Sequence, residues 1–234
     1  MEDNRNSGAA QERTALFVTT LTSFMGPFMI SAVNVALPAI QSELQLNAVQ
    51  LSWIATAYLL AAAVGLVPAG KIADIRGRKR VFTTGLAVYT VSATANAFAD
   101  SATFLICLRV VQGFGAAMFV STGMAILTSI FPPQKRGQVI GIYVAAVYVG
   151  LSMGPLVGGF LTESLGWRAI FFLILPLGTL SLWLTSRYLK GEWYGEEGQK
   201  LDITGCLLYA FAIFSLVYGA SRMQSGVGVL LVLT

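Results

Sequence analysis

Histidine is absent from this chain of 234 residues, and cysteine occurs only twice. The first absence removes His-based acid–base catalysis and most zinc chemistry. Cys107 and Cys206 each lie inside an apolar run, so neither fits a disulfide framework or a metal site. Charge is scarce too: Asp, Glu, Lys and Arg make up 11% of residues, against roughly 25% in an ordinary soluble domain. What charge there is comes in clumps. None falls in 14–42, 44–70, 81–99, 110–134, 137–162, 169–186 or 203–221. A bilayer-spanning helix takes about 20 mostly apolar residues, so these seven runs describe a polytopic membrane protein. Soluble enzymes, nucleic-acid binders and secreted disulfide scaffolds are excluded, and no cofactor is expected. The net charge of +4 does not restore nucleic acid as a partner, because the cations gather in alternate loops. The mixed charges of residues 1–13, and the length of the apolar run after them, also exclude a signal peptide.

The fold class expected is all-α, because backbone polar groups in lipid must be satisfied internally and no run alternates with period two. Helices are predicted at about 14–38, 51–69, 81–99, 102–131, 138–161, 168–186 and 203–220. One set of alternate loops carries Arg5, Arg13, Lys71, Arg76, Arg78, Lys79, Arg80, Lys135, Arg136, Arg187, Lys190 and Lys200. The other set carries Arg168 and Arg222. The positive-inside rule then predicts an N-terminus in the cytoplasm and residues after Arg222 outside. The expected divisions are a cytoplasmic tail at 1–13, a six-helix bundle at 14–188 and a cytoplasmic linker at 189–202. An extra helix follows, and 203–234 ends at Thr234 in the start of a further apolar segment, so the chain is expected to be incomplete. Asp202 is a candidate N-cap for that helix, and Gln41–Gln50 is expected to form an outward loop.

Four groups of residues carry chemistry. Gly70-Lys-Ile-Ala-Asp-Ile-Arg-Gly-Arg-Lys-Arg80 is the densest charge cluster. Five cations anchor a helix end to anionic headgroups, but anchoring leaves Asp74 and the flanking glycines unexplained. The expectation is a tight turn bracketed by Gly70 and Gly77, with Asp74 paired to Arg78 or a neighbouring helix end, and with Arg76 nearby. Gly150, Gly154 and Gly158 recur every four residues and make one smooth stripe that lets helices approach closely. Pro155, beside them, can bend the helix, and Gly159 lies off the stripe. Arg109 is the one charge well inside a span, which by default marks a pathway or site; Gln112 puts an amide near its face. Asn34 is the main polar side chain deep in the first span, suited to a helix–helix hydrogen bond or a cavity contact. Trp53, Tyr58 and Trp167 are read as interface or packing aromatics.

Together these segments resemble motifs of the major facilitator superfamily. GKIADIRGRKR at 70–80 resembles its loop between spans two and three, LRVVQGFGAA at 108–117 its fourth-span motif, and GLSMGPLVGG at 150–159 the fifth-span motif of its antiporters. VNVALPAI at 33–40, GWRAIFFLILPLG at 166–178 and LDITG at 201–205 resemble segments of the 14-span drug/proton antiporter branch. Two positions depart from those segments: Met29 stands where an acid is usual, and Ile174 where Asn is usual.

The resemblance implies the N-terminal six-helix bundle of a major facilitator fold plus a seventh helix, in the cytoplasmic membrane. A second six-helix half would complete the protein. The implied function is alternating-access transport, with efflux of small organic compounds or drugs coupled to protons, and no enzymatic activity. Asn34, Arg109 and Gln112 would face the cavity. Gly70, Asp74, Arg76, Gly77 and Arg78 would act at the cytoplasmic gate. Gly150, Gly154, Pro155, Gly158 and Gly159 would let the fifth helix move. The alternative is a non-transporting membrane protein, either a truncated remnant or a regulatory half-transporter.

Overall fold

The computed structural model describes residues 2–196, 199 and 201–221, and every regular element among them is a helix. In order these are α1 (Glu2–Leu44), α2 (Ala48–Arg76), α3 (Arg78–Asn96), α4 (Ala102–Ile130), α5 (Pro133–Leu165), α6 (Arg168–Tyr188) and α7 (Ile203–Ser221). All seven expected helices are present. The apolar start expected at 227–234, and Arg222 before it, lie outside the described residues.

Local chemistry sets the boundaries. Asn47 and Gln50 form a reciprocal capping box at the start of α2, with Gln50 N donating to Asn47 Oδ1 at 2.8 Å and Asn47 N donating to Gln50 Oε1 at 3.1 Å. Pro133 opens α5, where its missing N–H costs nothing. Gly205 N donates to Asp202 Oδ1 at 2.9 Å, so Asp202 caps α7 as expected. Two expectations need correction. Helix α1 runs through Pro38 to Leu44, which shortens the connection expected at Gln41–Gln50 to residues 45–47. Gly70 lies inside α2, so it does not bracket the turn; Gly77 alone separates α2 from α3, at φ 108°, a conformation that favours glycine.

The most extensive packing joins α1 to α5, and α4 to both α2 and α3. Helix α6 closes against α3 and α1, and α7 lies on α2. The core between them is filled by Met25, Phe28, Ile54, Leu86, Phe119 and Phe171, all at most 1% exposed. Lipid is as apolar as these side chains, so close packing rather than the hydrophobic effect holds the helices together. Large apolar side chains also cover the outside: Leu156, Phe160, Val91 and Phe98 are each at least 68% exposed. Such a surface suits hydrocarbon and not water.

Among the described residues, five helices are long and apolar enough to cross a membrane on that measure alone: α1, α2, α4, α5 and α6. The remaining two of the seven expected spans fall short of it. Helix α3 has 19 residues and opens with Arg78-Lys79-Arg80. It buries Thr90, Ser92 and Asn96 against its neighbours, so it need not be uniformly apolar. Thr90 and Ser92 donate to the carbonyls of Leu86 and Val88 one turn back, which satisfies their hydroxyls inside the helix.

Candidate functional site

Arg109 sits in the middle of the bundle, 1% exposed. Its Nε donates to the Ile54 carbonyl of α2 at 3.2 Å, and Nη1 donates to Gln112 Oε1 at 2.8 Å. The guanidinium carbon lies 4.2 Å from the centre of the Tyr58 ring. Gln112 Oε1 also accepts from Asn96 Nδ2 of α3 at 3.2 Å. The charge is therefore held by a carbonyl, an amide and an aromatic face, not by a carboxylate. Gln112 Nε2 and Asn96 Oδ1 are buried without partners among the described residues. The expected pairing of Arg109 with Gln112 is present, and both side chains are buried. Asn96 and Tyr58 complete the cluster. Asn96, an amide inside an apolar run, carried a signal that could have marked it, and Tyr58, expected as an interface or packing aromatic, stacks on the charge.

Glycine makes the cluster possible. A Cβ built on Gly113 would fall 2.5 Å from the Tyr58 carbonyl, and one on Gly115 would fall 2.7 Å from Tyr89 N. Helix α4 thus touches the backbones of both α2 and α3, which brings Arg109 within reach of Ile54.

Asn34 stands apart from this cluster. It is exposed and makes no hydrogen bond among the described residues. One and two turns earlier on the same face of α1, Ile30 and Pro27 line an open groove of about 240 Å³ together with Tyr58, Ala62, Ala117 and Val120. Tyr58 therefore borders the groove between α1, α2 and α4 while its ring stacks on Arg109. Met29 and Ile174, the two departures from the branch pattern, are fully buried in the apolar core.

The α2–α3 turn carries a second cluster. Arg78 Nε donates to Asp74 Oδ1 at 2.9 Å, and Nη1 donates to Ser129 Oγ at 2.9 Å near the end of α4. The segment after α6, expected as a linker, lies across this turn. Arg78 N donates to the Trp193 carbonyl at 2.8 Å, and Lys79 N donates to Glu192 Oε1 at 2.6 Å. Gly195 N and Glu196 N both donate to the Asp74 carbonyl, at 3.1 and 3.0 Å. The segment thus caps the start of α3 and the end of α2, which Gly77 leaves without side-chain caps. Lys71 pairs with Glu196. A Cβ on Gly77 would meet Glu192 Cδ at 2.5 Å, the end of a side chain that can shift, so the positive φ is what calls for glycine here. The complementary charges of 70–80 and 192–196 were the legible signal. Arg76 is exposed, and Gly70 lies nearest Ser121 of α4.

The third feature is the seam between α5 and α1. A Cβ on Gly150 would lie 2.5 Å from the Phe24 carbonyl, and one on Gly158 would lie 2.8 Å from Ala32 Cα. Gly154 abuts Ser31 and Ala32. Gly159 is off the seam, with only Val35 Cγ1 nearby at 3.8 Å. Pro155 is exposed, and α5 stays helical through it. At the other end of the bundle, Trp167 Nε1 and Arg168 both donate to Glu43, and Arg168 Nη2 donates to the Ala99 carbonyl at 2.9 Å.

The profile of the Major Facilitator Superfamily matches residues 19–229. The chain belongs to this superfamily. It is a multi-pass membrane protein of a transporter family, not an enzyme. Among curated members it is 37% identical over 211 residues to multidrug resistance protein Stp of Mycobacterium tuberculosis, covering 88% of this chain and 39% of that protein. It is 33% identical over 205 residues to the tetracenomycin C resistance and export protein of Streptomyces glaucescens, covering 86% and 38%. It is 29% identical over 227 residues to the riboflavin transporter RibZ of Clostridioides difficile, covering 95% and 50%. The chain spans half or less of the length of these relatives. The solved peptide transporter POT in complex with sulfate shares the fold at a TM-score of 0.69 and 17% identity, over 90% of this chain and 45% of that one. The helices take the arrangement of the N-terminal half of such a transporter.

Proposed function

We propose that this superfamily member serves in secondary active efflux of small organic compounds, exchanged for protons by alternating access, with a second six-helix half completing the cavity. The α1–α5 seam carries the reading. Its backbones touch along a glycine stripe, yet among the described residues only one buried hydrogen bond crosses it, Ser23 Oγ to the Tyr143 carbonyl at 3.1 Å. A smooth, weakly cross-linked seam can slide, and alternating access needs one that does. The named relatives that confer resistance or export support the substrate class.

In this reading the groove beside Tyr58 is the wall of the cavity, with Asn34 on the same face of α1. Arg109 and Gln112 act from behind Tyr58. A guanidinium does not release its proton in a protein, so Arg109 is not the proton carrier; it holds a fixed positive charge that orients an anionic group or a water chain. Asp74, Arg76, Gly77 and Arg78 form the cytoplasmic gate, and Gly70 faces Ser121 of α4 behind it. The cations of alternate loops support a cytoplasmic position for this end and for the N-terminus.

Everted vesicles from cells expressing the complete open reading frame test the reading. Tetracenomycin C, cephamycin and methylenomycin A, each the compound for which a relative 33–34% identical to this chain is named, are the probes. At least one should accumulate under an imposed pH gradient and be lost on adding a protonophore. Inserted protein that moves none of them under the gradient would overturn it. A cysteine at Gln45 should take an impermeant label from outside intact cells, and one at Gln134 should not; the reverse pattern inverts the topology.

A further inference from the structure

A groove runs along α2 on the side facing α4 and α7. At the basic end it is an open pocket of about 490 Å³ bordered by Arg76, Arg80, Thr84 and Tyr194. Ile72, Val81 and Met118 line this pocket and also the next one, so the two are continuous. The second pocket, about 360 Å³, is apolar throughout; Val64, Pro68, Phe114, Cys206 and Ala210 are among its walls. Between Ile72 and Val64 the axis of α2 rises about 12 Å, at 1.5 Å per residue. One leaflet contributes roughly half of a hydrocarbon core about 30 Å thick. The apolar pocket therefore has the depth of a single leaflet, with its charged mouth at headgroup level.

The cations at the mouth are those the turn leaves over. Lys71 is paired with Glu196, Arg78 with Asp74, and Lys79 donates to the Leu189 carbonyl. Arg76 is exposed and has no acidic partner among the described residues. Arg80 reaches Glu192 only at 3.8 Å, with its side chain 76% exposed. Both unspent guanidiniums border a pocket that opens into an apolar slot. General positive-inside anchoring requires cations at this end but not this convergence.

We propose that the groove binds one anionic phospholipid. Its phosphate lies between Arg76 and Arg80, and one acyl chain enters the slot between α2, α4 and α7. A headgroup with net negative charge suits the two guanidiniums, whereas the ammonium of a zwitterionic headgroup would be brought up against them. The chain fills space on the inner side of α7, where Tyr209 Oη donates to the Ala63 carbonyl at 3.1 Å.

Native mass spectrometry of the purified protein tests this, with phosphatidylglycerol and phosphatidylcholine of identical chains as probes. Wild type should retain one phosphatidylglycerol at least about tenfold more strongly than phosphatidylcholine, a gap expected when two cations meet one net charge at a membrane surface. The double variant Arg76→Gln, Arg80→Gln should bring that ratio close to one. Arg136→Gln removes a cation at the same end but off the groove, and should leave the ratio unchanged. Ala210→Phe fills the slot and should lower retention of both lipids. Equal retention by wild type overturns the proposal, as does a preference that survives the double variant. An effect of Arg136→Gln as large as the double variant's would make the preference bulk electrostatics. Displacement by inorganic phosphate at lipid-equivalent concentration would make the mouth a free-anion site instead.

Discussion

Two seams in this bundle use glycine in the same way and end up different. Where α3 meets α4, Gly85 and Gly115 let the backbones touch; a Cβ on Gly85 would lie 2.8 Å from the Gly115 carbonyl. Where α1 meets α5, Gly150, Gly154 and Gly158 do the same. The first seam is then pinned. Asn96 bonds Gln112 across it at 3.2 Å, and Tyr89 packs edge-on to Phe119 with ring centres 5.2 Å apart. Arg78 of α3 adds a bond to Ser129 of α4, and helix α2 joins the same block through Ile54 and Arg109. The second seam has the Ser23 bond and, near one end, a loose ion pair of Lys135 with Glu12 at 3.8 Å. Small residues decide how near two helices lie. Polar cross-links, each worth roughly 0.6 and at most about 1.7 kcal/mol in a membrane, decide whether they stay there.

The strongest way to break this contrast is Gly115→Leu. Its side chain would enter the backbone of α3, which cannot yield as a flexible neighbour can. Overpacking costs about 1–3 kcal/mol even in forgiving cores, and here folded protein should be lost. Fluorescence-detected size exclusion should show no monodisperse peak; a normal peak would mean the block is looser than its contacts imply.

Gly154→Leu should separate folding from motion. The protein should insert and run as a single peak, while transport falls by at least about tenfold, since a shift of 1.4 kcal/mol between two states suffices for that. Gly159→Ala, off the seam, should transport within about twofold of wild type on the same reasoning. Wild-type rates for Gly154→Leu would make the seam a static contact.

Arg109→Gln acts on the pinned block. Membrane levels should match or exceed wild type, because a costly charge has gone, while transport drops. Arg109→Lys should fail too, since one ammonium cannot span Ile54 and Gln112 as the planar guanidinium does. Normal transport by either variant would reduce Arg109 to a structural residue. Glu196→Gln should have the smallest effect. Its partner Lys71 is partly exposed, and such pairs contribute about 0.2–1 kcal/mol. A thermal midpoint lowered by more than a few degrees would show that the segment across the turn clamps it far more tightly.

Much of the fold was legible because the lipid imposes simple rules. Charge-free runs marked all seven helices, and glycine at every fourth position marked the α5 face that meets α1. Helix ends were less legible. The first helix, expected to end near residue 38, runs on to Leu44. Gly70 looked like half of a turn, yet only Gly77 breaks the chain, because a single residue at positive φ suffices. The candidate site was legible in part. Arg109 and Gln112 are three apart on one helix, so their meeting follows from helical geometry. Asn96 and Tyr58 come from other helices and could not be placed beside them from spacing.

By itself, then, the sequence determined that this protein is a membrane-embedded helical bundle, which end carries the basic loops, and which face of α5 could lie close to another helix. Those properties are local, set by runs of apolar residues and by helical periodicity. Tertiary structure alone decided that Arg109 is buried under Tyr58, that residues 192–196 cap the turn at Gly77, and that Arg76 and Arg80 converge on one groove. Each of these depends on side chains far apart in the chain, and the distance between them exists only once the helices have packed.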